Sequence, residues 1–349
     1  MTLDIIHDRV NTMIEIKREG TLGIIIRITS KRYELSQEDV EAIRNSLVGK
    51  LRSVTLTSGY EITISDRIFD NCTFERLRIM NIILGEQTMI SIPEGVNHLR
   101  INCKQPYLSL VKVSELRIGC TEEQLIVPLS VEKLAIYNCI EDMTIYSHDN
   151  LETFILEPED KMVTLLNCNN LQELEMMYPN SFIYGEFLNY LGFLKTSYNM
   201  HTITNIDQYI DKLCEYLSMF KNLQSYDGYI NKRIIHALGP IKKASLGLLT
   251  ANIDIDDIPD SLEDANFRIN GINSSDILKQ KPNIKRILYS ESKSSLVLED
   301  YPNVYFHTPL VCMSNVVDAI KNHNKKLVSL TDLLTVTTPV KEMSDCTIL

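Results

Sequence analysis

The sequence predicts an α/β solenoid: short parallel strands stacked along a concave face, an irregular or helical convex side, and an N-terminal α/β cap. Three observations predict it. A six-residue pattern (apolar, two variable, apolar, one variable, apolar) recurs along most of the chain at steps of about twenty residues. Several copies follow a turn containing proline. The first fifty residues lack the pattern and carry helix and strand signals of their own.

Residues 1–50 come first. Ile5, Val10, Met13 and Ile14 fall on one face of a helix drawn over 4–17. "TLGIIIRITS" at 21–30 reads as a strand. In "SQEDVEAIRNSLVGK", Ser36 and Asp39 have capping-box spacing, and Val40, Ile43 and Leu47 share a helical face before Gly49. Such a segment suits the exposed end of a solenoid, whose first coil has no neighbour to cover it.

The repeats span 51–330. They read "LRSVTL" from Leu51, "FERLRI" from Phe74, "VNHLRI" from Val96, "VSELRI" from Val113, "VEKLAI" from Val131, "LETFIL" from Leu151 and "LQELEM" from Leu171. Weaker copies begin at Leu191, Leu223, Ile241, Leu262, Ile284 and Val304. Positions 4 and 6 of each unit are two apart, so in a strand they share one face, and positions 3 and 5 share the other. A strand this short buries too little alone; stacking in parallel joins the inward residues into a continuous core. "IPEGV", "VPLSV" and "IPDSL" lead into three of the units.

This pattern resembles the leucine-rich repeat. Asn81, Cys103, Cys120 and Cys139 fall where that family places a side chain that satisfies backbone groups in the turn after the strand. The resemblance makes these cysteines buried structural thiols. The Ile-Pro turns and "RIFDNCTFERLRI" at Arg67–Ile79 are similar to BspA-type repeats, although the repeat length varies. The family implies binding of other proteins. An F-box is an alternative for the N-terminal segment, but no F-box sequence is evident.

The unit at 191–222 is enlarged by "TNIDQYIDKLCEYLSMFKN". Ile206, Tyr209, Ile210, Leu213, Leu217 and Phe220 form a helical stripe, expected to pack on the convex side of its own coil. Residues 331–349 read as a flexible tail ending Cys346-Thr347-Ile348-Leu349. That ending is a CaaX signal, and its final Leu selects geranylgeranyl. A single lipid near Glu342 and Asp345, with Lys341 as the nearest base, implies reversible peripheral attachment to a cytosolic membrane face.

The formal net charge of −11 excludes general nucleic-acid binding and loose adsorption to anionic lipid. Eight scattered cysteines without a CxxC pair fit a reducing, cytoplasmic compartment. A secretory signal, an N-terminal myristoylation site and a membrane-spanning run are not evident. Nucleotide-binding, metalloprotease and nucleophile-elbow motifs are absent, and the seven histidines are isolated in sequence. No catalytic, metal or cofactor residue is therefore assigned. The remaining candidate site is a surface. Positions 3 and 5 place Arg76, Arg78, Arg100, Arg117 and Lys133 in one basic patch, followed by an acidic stretch that includes Glu173, Glu175, Asp227 and Asp264. The expectation is a non-enzymatic protein-binding scaffold or adaptor with an acidic partner on the concave face. A BspA-like surface adhesin and a regulatory subunit or activator of a GTPase or phosphatase are the alternatives.

Overall fold

The computed structural model describes residues 3–331 apart from short stretches, the longer of which are 31–34, 85–91, 103–111, 178–180, 197–202, 246–252, 267–273, 290–296 and 308–313. The chain divides into two units, Met1–Gly228 and Tyr229–Leu349. Both are mixed α/β and solenoid-like, built on mostly parallel strands.

The first unit opens with strands where a helix over 4–17 was expected. β1 (Leu3–Arg9), β2 (Thr12–Glu19) and β3 (Gly23–Ser30) form an antiparallel meander. The decisive period is two: Ile14 and Ile16 are buried, while Met13, Glu15 and Lys17 between and beside them are half-exposed. Ile14 and Ile16 pair with Ile28 and Ile26 of β3, so β-branched side chains meet across the strands. Helix α1 (Gln37–Ser46) then returns the chain for a parallel strand. Its start is as expected: Asp39 N–H donates to Ser36 Oγ at 3.2 Å, and Ser36 N–H donates to the Asp39 carboxylate at 3.1 Å.

The strands that follow are β4 (Ser53–Ile64), β5 (Arg76–Leu84), β6 (His98–Asn102), β7 (Glu115–Cys120), β8 (Gln124–Ile126), β9 (Lys133–Cys139), β10 (Met143–Tyr146), β11 (Thr153–Leu156), β12 (Met162–Leu166), β13 (Glu173–Met176), β14 (Phe182–Tyr184), β15 (Phe193–Thr196) and β16 (Ser225–Asp227). The repeat pattern marks one strand per unit, beginning at position 3 in each from Leu51 to Leu223. These strands continue the meander in the order β3-β4-β5-β6-β7-β9-β11-β13-β15-β16. Their position-4 side chains, from Val54 to Tyr226, are at most 2% exposed. Burial of this ladder is the main force holding the unit together.

The opposite side differs from the expected irregular or helical one. β8, β10, β12 and β14 form a second parallel sheet, so coils from β7 to β15 alternate between two sheets. Leu125, Ile145, Val163 and Ile183 point inward from it and are buried.

An asparagine before position 1 stitches neighbouring coils. Asn150 Nδ2 donates to Leu129 O at 3.0 Å, Asn170 Nδ2 to Asp149 O at 3.1 Å, and Asn222 Nδ2 to Asn189 O. Each bond satisfies a turn carbonyl that the strand ladder leaves open. The proline turns act in the same place: Val96 N–H donates to Pro93 O, and Val131 N–H to Pro128 O. Helix α2 (Ile206–Leu217) buries Tyr209, Ile210, Leu213 and Leu217 of the expected stripe, while Ile206 is 40% exposed. The helix packs on β14, at the end of the second sheet, through the unpredicted Tyr216.

The second unit contains α3 (Lys232–Leu238), β17 (Lys243–Ser245), β18 (Asp264–Asn266), α4 (Ser274–Gln280), β19 (Arg286–Leu288), β20 (Tyr305–His307) and α5 (Ser314–Thr331). The strands run parallel in chain order, and α4 falls between β18 and β19 in the chain. The asparagine stitch recurs, Asn283 Nδ2 donating to Asp260 O at 2.9 Å. The final unit is shifted by one residue from the sequence reading. Tyr305 pairs with Arg286 and Phe306 is the buried residue, which makes Val304 position 2. The last strand ends at His307, and residues assigned to repeats up to 330 form α5 instead. α5 closes the edge of β20: Phe306 N–H donates to Asn324 Oδ1 at 3.1 Å, and Asn324 Nδ2 donates to Phe306 O at 2.9 Å.

In the same unit Asp257 accepts from His236 Nε2 at 3.0 Å and Lys232 Nζ at 2.9 Å. The hydrogen bond from His236, then that from Lys232, holds its carboxyl down at about 2. A carboxyl lowered on folding stabilises above its unfolded value of about 3.9 and loses that contribution as pH falls through the folded one. Acid titration of wild type and Asp257→Asn should therefore diverge above about pH 4 and converge as pH approaches 2. Parallel curves throughout would remove this carboxylate from the acid response.

Among the described residues no helix is long and apolar enough to cross a membrane.

Candidate functional site

The outward side chains of the first unit's long sheet lie in two rows. Position 3 runs Ser53, Arg76, His98, Glu115, Lys133, Thr153, Glu173; position 5 runs Thr55, Arg78, Arg100, Arg117, Ala135, Ile155, Glu175. Strand spacing sets neighbours in a row about 4.8 Å apart at the backbone. The five predicted basic residues thus sort into two groups. Arg78, Arg100 and Arg117 are consecutive in one row. Arg76 and Lys133 belong to the other, separated by His98 and Glu115.

The second group is mixed in charge. Glu115 accepts from His98 Nδ1 at 2.7 Å and lies 3.7 Å from Lys133 Nζ. These side chains are 40–44% exposed, so the pairs are solvent-screened and set local orientation more than stability.

The arginine row is organised by Tyr137, which the sequence reading did not single out. Ile118 pairs with Ile136, but Gly119 pairs with Asn138, so Tyr137 is the extra residue of a β-bulge in β9. The bulge lays its ring across the outer face. Its hydroxyl donates to Ile101 O of β6 at 2.6 Å, two strands away. Arg100 Cζ lies 4.5 Å and Arg117 Cζ 5.7 Å from the ring centroid, within cation–π range. The signal was present in the sequence: "LRINC" and "LRIGC" become "LAIYNC", one residue longer.

Arg117 also pairs with Glu157, just beyond β11. They meet across β9, where position 5 is the small, buried Ala135. Arg78 at the other end of the row is exposed. Partial loss of its hydration, then the Arg100 charge, lowers its pKa from the ordinary arginine value; Tyr137 opposes this and Arg117 adds to it. The row therefore holds like charges close enough to repel. The predicted acidic stretch is partly neutralised: Glu175 meets Lys195 at 2.8 Å, and in the second unit Asp264 meets His307 at 3.2 Å and Arg286 at 3.8 Å.

Cys139 is buried, as expected for a structural thiol. Cys168, which was not singled out, is also buried; burial pushes its thiol up to about 11 and keeps it neutral. The side chains of Asn81 and Cys120, all of Cys103, and the prenylation candidate Cys346 lie outside the described residues. Three of the histidines isolated in sequence meet carboxylates in the fold: His98, His236 and His307. Among the described residues no three His, Cys, Asp or Glu side chains converge as metal ligands would. The chain matches no protein-family model, no curated protein and no solved structure.

Proposed function

We propose that this chain is a protein-binding scaffold of leucine-rich-repeat type that engages an acidic partner through the outward face of its long sheet. The observation that carries the reading is the run of Arg78, Arg100 and Arg117 in register on three adjacent strands, the last two over the Tyr137 ring. Like charges held side by side favour an anionic partner that relieves their repulsion. Arginine and tyrosine are also the side chains that most often dominate binding energy at protein interfaces. The reading includes a membrane anchor. The Cys346-Thr347-Ile348-Leu349 segment has the residue types of a geranylgeranylation signal, and a lipid on Cys346 would hold the scaffold at a cytosolic membrane face.

Two experiments test the halves separately. Affinity capture with wild type and with the Arg78→Glu/Arg100→Glu variant should recover the main partner from wild type, with affinity reduced at least about tenfold in the variant. Circular dichroism and thermal midpoint are the folding controls, because Arg100 also covers Tyr137. Equal capture by a folded variant would remove the arginine row from the reading. Metabolic labelling with an isoprenoid analogue should mark wild type and spare Cys346→Ser; equal labelling would refute the anchor.

A further inference from the structure

Among the described residues, the arginine row carries more charge than its surroundings neutralise. Of those described residues, Glu157 offsets one of the three guanidinium charges and leaves two. The Nε atoms of Arg100 and Arg117 are buried and, among the described residues, have no hydrogen-bond partner. Buried donors without acceptors leave part of each guanidinium unsatisfied, and an anion that supplies acceptors to the solvent-facing nitrogens of the same groups is favoured. A carboxylate brings one negative charge and two oxygens. A phosphate monoester brings up to two charges and three terminal oxygens, and guanidinium groups match its geometry.

We propose that Arg78, with Arg100 and Arg117 stacked on Tyr137, binds the phosphate of a phosphorylated side chain on a protein partner. This rests on reading the sheet face as protein-binding. The surroundings favour an isolated phosphate over a polyanion. Glu115, Glu173 and Glu175 occupy the same face, and the chain carries a net charge of −11. An anionic bilayer or a nucleic-acid backbone would meet these carboxylates, whereas one phosphate on an otherwise neutral segment would not. The bulge adds specificity: the displaced Tyr137 brings an aromatic ring beneath two of the guanidinium groups.

The test uses the full chain with ¹⁵N-labelled arginine, observing the Nε–Hε signals. Phenyl phosphate is the probe; benzoate and benzenesulfonate are monoanions carrying the same ring. Phenyl phosphate should shift the Arg100 and Arg117 signals and bind at least about tenfold more tightly than either monoanion. Arg78→Gln, at an exposed position, should weaken that binding about tenfold at unchanged thermal midpoint. A glycine- and alanine-flanked phosphoserine peptide should displace the probe, while its unphosphorylated form and phosphatidylcholine vesicles containing a phosphoinositide should not. Equal binding of benzoate and phenyl phosphate would overturn phosphate selectivity and leave an acidic-protein site standing. Displacement by the vesicles alone would overturn the protein source. Failure of all three anions, together with capture unaffected by Arg78→Glu/Arg100→Glu, would remove both this site and the broader reading.

Discussion

Replacing Tyr216 with alanine is expected to destabilise the first unit by about 3–5 kcal/mol, measured as a lowered urea midpoint. Tyr216 is 1% exposed. Its ring packs on Phe182 at 5.0 Å, Phe220 at 5.1 Å and Tyr184 at 5.9 Å between centroids. Its hydroxyl donates to Ile183 O at 2.7 Å, on the terminal strand of the second sheet. Burial raises the phenol's pKa, so it remains a donor throughout the ordinary pH range. The alanine variant loses aromatic packing and the cover over β14 together. Tyr216→Phe separates the terms: it keeps the packing, leaves Ile183 O without that donor, and should cost about 1–3 kcal/mol. A loss below about 1 kcal/mol for Tyr216→Ala would mean that α2 does not hold the sheet end.

Asn324→Leu is expected to cost about 2–3 kcal/mol in the second unit. Asn324 supplies one acceptor and one donor to Phe306, as another strand would. Leucine fills similar space but satisfies neither backbone group. The released edge of β20 then becomes a template for pairing, so concentration-dependent association should accompany the lower midpoint. Light scattering and denaturant titration read the two effects. A monodisperse variant with an unchanged midpoint would show that the remaining contacts of Ile320 and His323 are enough to close the edge.

The position-3 start of strands from Ser53 to Arg286 was legible because alternating burial is a strong constraint on sequence. The second sheet was not. β8 is "QLI" and β14 is "FIY", and three residues contain too little alternation to separate a strand from a turn. The β1–β2 hairpin was misread for a related reason: isoleucine-rich segments this short match both a period of two and a period of 3.6. The Asn150, Asn170, Asn222 and Asn283 stitch left a readable signature, asparagine directly before an aliphatic residue, but its meaning depends on the carbonyl of the preceding coil. Asn324 has no periodic signature, since its role depends on lying opposite a strand end. At the candidate site, the arginine row followed from repeat register alone. Tyr137 required comparison of unit lengths, and Glu157 required knowing that Ala135 leaves the space between them clear.

The asparagine stitch also makes the chain divisible. Asn150-Leu151 and Asn170-Leu171 are equivalent junctions, so excising residues 151–170 rejoins asparagine to leucine in the same register. β9 then faces β13, and β10 faces β14, with the inward side chains still in phase. A protein of this kind can change length by whole coils while its remaining joints stay closed. Its outward face is less tolerant: the excision removes Glu157 and brings Met177 to the equivalent place, leaving Arg117 without its carboxylate. Length and surface charge are therefore inherited by different rules, one set at the seams between coils and the other by which coils are neighbours.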